Sequence, residues 1–209
     1  MPEEPGWIEE GLSTPRFAPY LAKAEGDLAR ASALYWWNVE VSAAFYPALH
    51  CLELALRNGL HRTLATAFGR EDWWRVAPLR PDGVGKLAEA RRKLTVRGRP
   101  RTPDDLVANL SLGFWVSTLS SAYDRTLWVP HLHRTFAFYR GKRRDLHTDL
   151  RTVLLFRNRI MHHEPIHHRH LWKDHETILR VLGYLVPELA GELKAYDRVP
   201  ELLRQRPGR

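Results

Sequence analysis

Apolar residues recur every three or four positions along most of the chain, and helix start and stop signals lie between the runs. Ser13-Thr14-Pro15 reads as a helix start, a capping hydroxyl with proline in the first turn. Gly26-Asp27 closes that short helix and opens the next. Leu34, Trp37, Val41 and Phe45 then keep helical spacing. Pro47 starts or kinks a further helix that carries Leu49, Leu52, Leu56, Leu60 and Leu64 before Gly69 stops it. Residues 78–85 are rich in turn formers, a basic helix with Arg91, Arg92 and Lys93 follows, and residues 97–101 form a loop. Thr102-Pro103-Asp104-Asp105 starts a helix leading into Leu106, Leu110, Phe114 and Leu119, with Gly113 permitting close packing. Residues 128–141 break helices, residues 145–163 form the clearest helix, and a pair over 171–184 and 187–196 ends the chain. No alternating strand pattern and no internal repeat is visible. The pattern predicts an all-α helical bundle, with residues 1–12 a loose arm and residues 13–209 one domain.

Composition adds a partner class. The chain has 209 residues, 44% of them hydrophobic, which is enough for a substantial core. Its formal net charge of +8 makes nucleic acid the first partner to consider, although an arginine-rich composition produces the same sign. The single cysteine, Cys51, lies in an apolar stretch and reads as a small core residue, which excludes an internal disulfide and a thiolate cluster. The acidic start, Met1-Pro2-Glu3-Glu4-Pro5, lacks an apolar leader, and no apolar run suggests a bilayer span; the expectation is a cytoplasmic protein without membrane contact.

The helix over 145–163 carries the candidate chemistry. Its apolar stripe runs through Leu146, Leu150, Val153 and Leu154 to Ile160 and Met161, and Arg157 and Asn158 fall on that stripe. A buried unpaired charge costs several kcal/mol, so such a break in pattern points to a partner or a function. His162 follows Asn158 by one turn, and Pro165 ends the helix near His163. The set suits cleavage of RNA by its own 2′-hydroxyl: His162 moves a proton, Arg157 holds the phosphate and Asn158 orients either. The structural reading is equally open, with Arg157 paired to a carboxylate and His162 and His163 merely ending a helix.

Arg157-Asn158-x-x-x-His162 resembles the Arg-x4–6-His signature of the HEPN superfamily. The longer string Leu155-Phe156-Arg157-Asn158-Arg159-Ile160-Met161-His162-His163-Glu164-Pro165-Ile166 is similar to bacterial Abi-like (abortive-infection) proteins. Two upstream segments agree: Leu52-Glu53-Leu54-Ala55-Leu56-Arg57-Asn58-Gly59-Leu60-His61 resembles an early helix of that family, and Leu110-Ser111-Leu112-Gly113-Phe114-Trp115-Val116 its central segment. The resemblance implies an all-α HEPN-like bundle and a metal-independent endoribonuclease of phage defence or a toxin–antitoxin system. It implies RNA as substrate, a homodimer with the site at its interface, an antitoxin protein or RNA as a further partner, and no cofactor. Arg157, Asn158 and His162 are the residues carried over, with His163 an alternative that also satisfies the spacing. Some members of such a family are non-catalytic, so an RNA- or partner-binding module is the alternative.

Other candidates are weaker. Glu53, Arg57 and Asn58 either line the same cleft as Arg157 or form a structural ion pair. The histidines at 162, 163, 167, 168, 170 and 175 raise a metal site, against which Pro165 interrupts the one helical pair. Arg91, Arg92, Lys93, Arg97, Arg99 and Arg101, and separately Lys142, Arg143 and Arg144, could follow an RNA backbone or be solvated faces. Trp36, Trp37, Trp73 and Trp74 read as core.

Overall fold

The structure, a computed structural model, describes residues 6–96, 98 and 102–208. Among the described residues there is no strand. The helices are α1 (Thr14–Lys23), α2 (Leu28–Ala44), α3 (Tyr46–Phe68), α4 (Pro81–Val96), α5 (Pro103–Asn109), α6 (Leu112–Ser117), α7 (Arg143–Met161), α8 (Leu171–Leu185), α9 (Pro187–Leu193) and α10 (Val199–Arg204). The all-α class is therefore as expected.

The local signals act where the sequence places them. The Asp27 carboxylate accepts a hydrogen bond from the Arg30 N–H at 3.0 Å and caps α2. Pro47 sits in the first turn of α3, and Gly69 closes α3 in the left-handed region at φ 65°. The expected helix from Thr102 to Leu119 is two helices instead. Leu110 is extended, because the Ser111 hydroxyl turns back to accept from the Phe114 N–H at 3.3 Å and caps α6. α4 begins at Pro81, inside the stretch read as turns, since proline is tolerated in a first turn.

Residues 7–12, read as part of a loose arm, are helical and bury Ile8, and Trp7 packs edge-on against Phe17. Residues 1–5 lie outside the described residues. The helix-breaking stretch over residues 128–141 is compact, folding into short turns that bury Leu132 and Phe136.

α3 lies at the centre, packed on α8 and α6, with α7 against α8 and α6, α1 across α2, and α10 against α2 and α8. Gly59 lets α3 approach residue 135 closely: a Cβ there would stand 2.8 Å from the Thr135 methyl and push that side chain aside. At Gly113 a Cβ would meet Leu154 at 3.7 Å, an ordinary contact, so close packing does not demand that glycine.

α2 and α3 run almost without a break from Leu28 to Phe68, long and apolar enough by length and composition to cross a membrane, contrary to the expectation from the sequence. In the fold Leu34, Trp37, Val41, Leu49, Leu52, Leu56 and Leu60 of this rod are buried in the bundle. Trp37, Trp73 and Trp74 are core, as expected, and the Trp37 indole N–H donates to the Leu202 carbonyl at 2.7 Å. Trp36 is not core: it is 53% exposed, beside Trp7 and Tyr35. The reason is helical phase: the buried face of α2 runs through Ala31, Leu34, Trp37, Asn38 and Val41, and Trp36 falls to the side of it.

Candidate functional site

The site is built around the C-terminal end of α7. The buried face of this helix is Leu146, Leu150, Val153, Phe156 and Ile160. Phe156, not Arg157, fills the core position between Val153 and Ile160. Its ring is fully buried, edge-on to Phe45 at 4.7 Å, with the Arg169 guanidinium 5.1 Å from its centroid. The expectation that Arg157 occupies the core stripe is thus corrected: its side chain is 31% exposed and lies at the rim. Arginine tolerates this boundary because its stem packs while its head reaches polar partners.

Arg157 faces α3. Its Nε lies 3.3 Å from the Glu53 carboxylate, an ion pair without hydrogen-bond alignment. Arg157, Glu53, Arg57, His50, Tyr46 and Met161 are among the residues lining an open cleft of about 270 Å³. The structure thus brings Glu53 and Arg57 to Arg157. It does not bring Asn58, which is exposed beyond the cleft and accepts from the Arg57 Nε–H at 3.1 Å.

Asn158 and His162 lie one turn apart on a different side of α7, next to Leu155, which is 55% exposed. Among the described residues the side chains of Arg157, Asn158, His162 and His163 make no hydrogen bond to one another. The sequence-predicted set therefore spans two adjacent faces of one helix end.

That end has a specific form. His162 caps α7; the His163 N–H donates to the Ile160 carbonyl at 3.0 Å, and the Glu164 N–H to the Arg159 carbonyl at 2.9 Å. This motif puts His163 in the left-handed region at φ 57°, where glycine is the usual residue. Arg16 of α1 completes the end, donating to the His163 carbonyl at 2.7 Å and countering the negative pole of the helix.

Arg16 and His163 also stand at a second cavity, of about 430 Å³, between α1, α2 and the end of α7. Its lining includes Tyr20, Tyr35, Asn38, Ser42 and Tyr46, and Tyr46 and Met161 belong to both cavities. Asn38 is only 5% exposed, and its side-chain oxygen accepts from the N–H groups of Ile166 (2.8 Å) and His167 (3.1 Å). Burial pushes the Tyr20 hydroxyl up to about 12, with Tyr35 adding to the shift and Arg16 opposing it, so it stays a neutral donor. Sequence reasoning missed this cavity. Asn38, four residues after Leu34 and three before Val41, was a visible polar break in the α2 stripe; Arg16 had no comparable signal.

The other candidates disperse. No group of three metal-ligating side chains comes together among the described residues. His170 caps α8 by accepting from the Lys173 N–H, and His175 pairs with the buried Asp197 carboxylate at 2.6 Å. Arg143 is not part of a free basic face: it binds the Asp124 carboxylate and donates to the Leu119 carbonyl at 2.6 Å. Arg91, Arg92 and Lys93 are exposed, and Arg97, Arg99 and Arg101 lie outside the described residues.

His167 is buried against Tyr20 with neither ring nitrogen paired. Burial lowers its pKa from 6.5 to about 4, helped by His168, Arg206 and Lys23. The unfolded chain binds the proton near pH 6.5 and the folded chain only near pH 4, so stability is full above this window and lost as pH falls through it. Denaturant unfolding at pH 7 and pH 4.5 is expected to differ by about 2–3 kcal/mol more in the wild type than in His167→Phe. Equal losses in the two proteins would refute the assignment to His167.

No family model matches the chain, and no match was found among curated proteins or among solved structures.

Proposed function

We propose that the protein is a metal-independent endoribonuclease of a phage-defence or toxin–antitoxin system, of the Abi-like HEPN type, acting on RNA as a homodimer. The observation that carries this reading is the end of α7. Arg157 stands in an open cleft with Arg57, and two exposed histidines whose side chains have no hydrogen-bonding partner among the described residues lie within two residues of Met161, which lines that cleft.

Arg157 and Arg57 both line the cleft and Glu53, paired with Arg157, is the one carboxylate among its lining residues, so the cleft keeps a positive excess that can hold a phosphate. A phosphate competes with Glu53 for Arg157. In the reaction a histidine takes the proton from a ribose 2′-hydroxyl. The 2′-oxygen attacks phosphorus, the bond to the 5′-oxygen breaks, and that oxygen is protonated as it leaves. The products are a 2′,3′-cyclic phosphate and a 5′-hydroxyl. Asn158 lies on the His162 face and can orient the histidine or the phosphate. Arg157 stabilises the charge that grows on the phosphate. The nucleophile belongs to the RNA, so the chemistry requires no metal.

Asn158, His162 and exposed Leu155 share one outward face, and a second copy packed there would set two such faces opposite each other. Sedimentation is expected to give a dimer, and Leu155→Glu a monomer with reduced cleavage; a wild-type monomer that cleaves at full rate would refute the shared site.

The test of the reading is cleavage of total RNA by purified protein in excess EDTA, with end mapping. Cyclic phosphate ends are expected, and their absence from every RNA tried would defeat it. The absence of hydrogen bonds among Arg157, Asn158 and His162 favours one other reading, a non-catalytic RNA- or partner-binding module, which predicts retained binding without cleavage.

A further inference from the structure

The cavity of about 430 Å³ beside His163 is a separate chemical object from the Arg157 cleft. Its volume lies toward the small end of ligand pockets, which run from roughly 300 to 1,000 Å³. Tyr20, Tyr35 and Tyr46 supply aromatic faces, and Val39, Ala43 and Ile160 apolar wall.

The polar groups inside have fixed roles. The Asn38 oxygen is held by two backbone N–H groups, so the amide is locked in orientation and its NH2 is left as a donor without a partner among the described residues. Tyr20 is 2% exposed, and its hydroxyl likewise has no partner there. The Ser42 hydroxyl donates to the Asn38 carbonyl at 2.6 Å and so presents lone pairs to the cavity. The interior thus offers oriented donors and an acceptor between aromatic faces. At the mouth Arg16 uses one nitrogen to cap α7 and turns the rest of its guanidinium, with His163, to the opening; the Glu164 carboxylate on the same lining is paired with Arg159 at 3.4 Å, so an anion would meet Arg16 beside an already neutralised carboxylate.

A planar heterocycle with hydrogen-bonding edges, joined to a phosphate, matches this arrangement. We propose that the cavity binds one unpaired nucleobase, with the attached phosphate at Arg16 and His163. Resting on the ribonuclease reading, this makes the substrate single-stranded RNA with one base drawn out of its stack next to the cleavage site. A paired base cannot enter, because its edge is occupied and its faces are stacked. The base can belong to an RNA chain or to a free mononucleotide, and the two sources are separable.

The probes are 2′-O-methyl octamers of each base, single-stranded or duplexed, and the four nucleoside 5′-monophosphates. The 2′-O-methyl group removes the nucleophile, so binding is measured apart from cleavage. Single strands are expected to bind wild type at least about tenfold more tightly than duplexes. Ala43→Phe, at an exposed position on the lining, should place a ring in the cavity and abolish that preference while the melting temperature holds. Tyr20→Phe should change the ranking of the four bases. Monophosphates that compete only weakly point to a base within a chain; monophosphates as tight as octamers point to a free nucleotide, and either outcome supports the pocket. Equal binding of single strands and duplexes, or an Ala43→Phe protein that binds like wild type, overturns it. Octamer binding that follows the expected pattern in a protein that cuts no RNA would remove the nuclease reading and leave the pocket. Cleavage with Ala43→Phe silent would do the reverse.

Discussion

His162→Ala is expected to lower the proposed RNA cleavage by roughly 10²- to 10⁴-fold, the usual worth of a positioned acid or base, and to leave unfolding unchanged. The stability half of this expectation comes from exposure: the His162 side chain makes no hydrogen bond among the described residues, and α7 ends through backbone bonds that alanine can also form. His163→Gly separates the two histidines. At φ 57° a histidine is held where glycine costs nothing, so His163→Gly leaves stability unchanged or raises it by up to about 1 kcal/mol. Retaining a histidine at such a position is the kind of local cost that accompanies a site. Because His163 lines the cavity proposed for a nucleobase, the change is expected mainly in KM, with kcat kept within several-fold. Single-turnover rates with saturating RNA, beside urea unfolding of each variant, decide the matter. If His163→Gly abolishes the single-turnover rate and His162→Ala spares it, the roles are exchanged. If both variants cut as wild type does, histidine acid–base chemistry at this helix end is excluded.

What the sequence revealed of the fold follows from which interactions are local. Caps, prolines in first turns and three-to-four-residue spacing act within a few positions, so α1, α2, α3 and α8 are where the pattern predicts them. The break between α5 and α6 was less legible, because Leu110 keeps helical spacing while the Ser111 hydroxyl ends the helix. At the site, the cleft formed by Glu53, Arg57 and Arg157 could be suspected from charges on apolar helices. The cavity could not, since Arg16 and His163 meet across 147 residues of chain and no spacing rule reaches that far. Asn38 was the one local sign, a polar residue on a buried face whose partners, Ile166 and His167, are equally remote.

Phe156→Ala is expected to be the most damaging change near the site, costing about 3–5 kcal/mol, the usual range for a fully buried aromatic ring. The loss has named parts. The ring packs edge-on against Phe45, so its removal opens a cavity between the α2–α3 junction and α7. It also lies under Arg169, whose guanidinium is held by two bonds to Asp174 at 2.9 and 2.7 Å. That pair would survive, but over a void. For a chain of this size the loss corresponds to a fall of about 10 °C in Tm. Arg157→Ala, one residue on, is expected to cost only about 1 kcal/mol or less, since its ion pair with Glu53 is partly solvated. Its main effect should fall on cleavage. The contrast decides between the two phases in which α7 can be read. With Phe156 inward, Arg157 is released to the cleft, where the proposed reaction would use it on the phosphate. With Arg157 inward, as the apolar spacing first suggested, its removal would be the costly change and its pairing with Glu53 a matter of folding alone. Urea unfolding of the two variants, measured together with their cleavage rates, would show which phase the helix adopts: a larger stability loss for Arg157→Ala than for Phe156→Ala would place the arginine in the core and withdraw it from the chemistry.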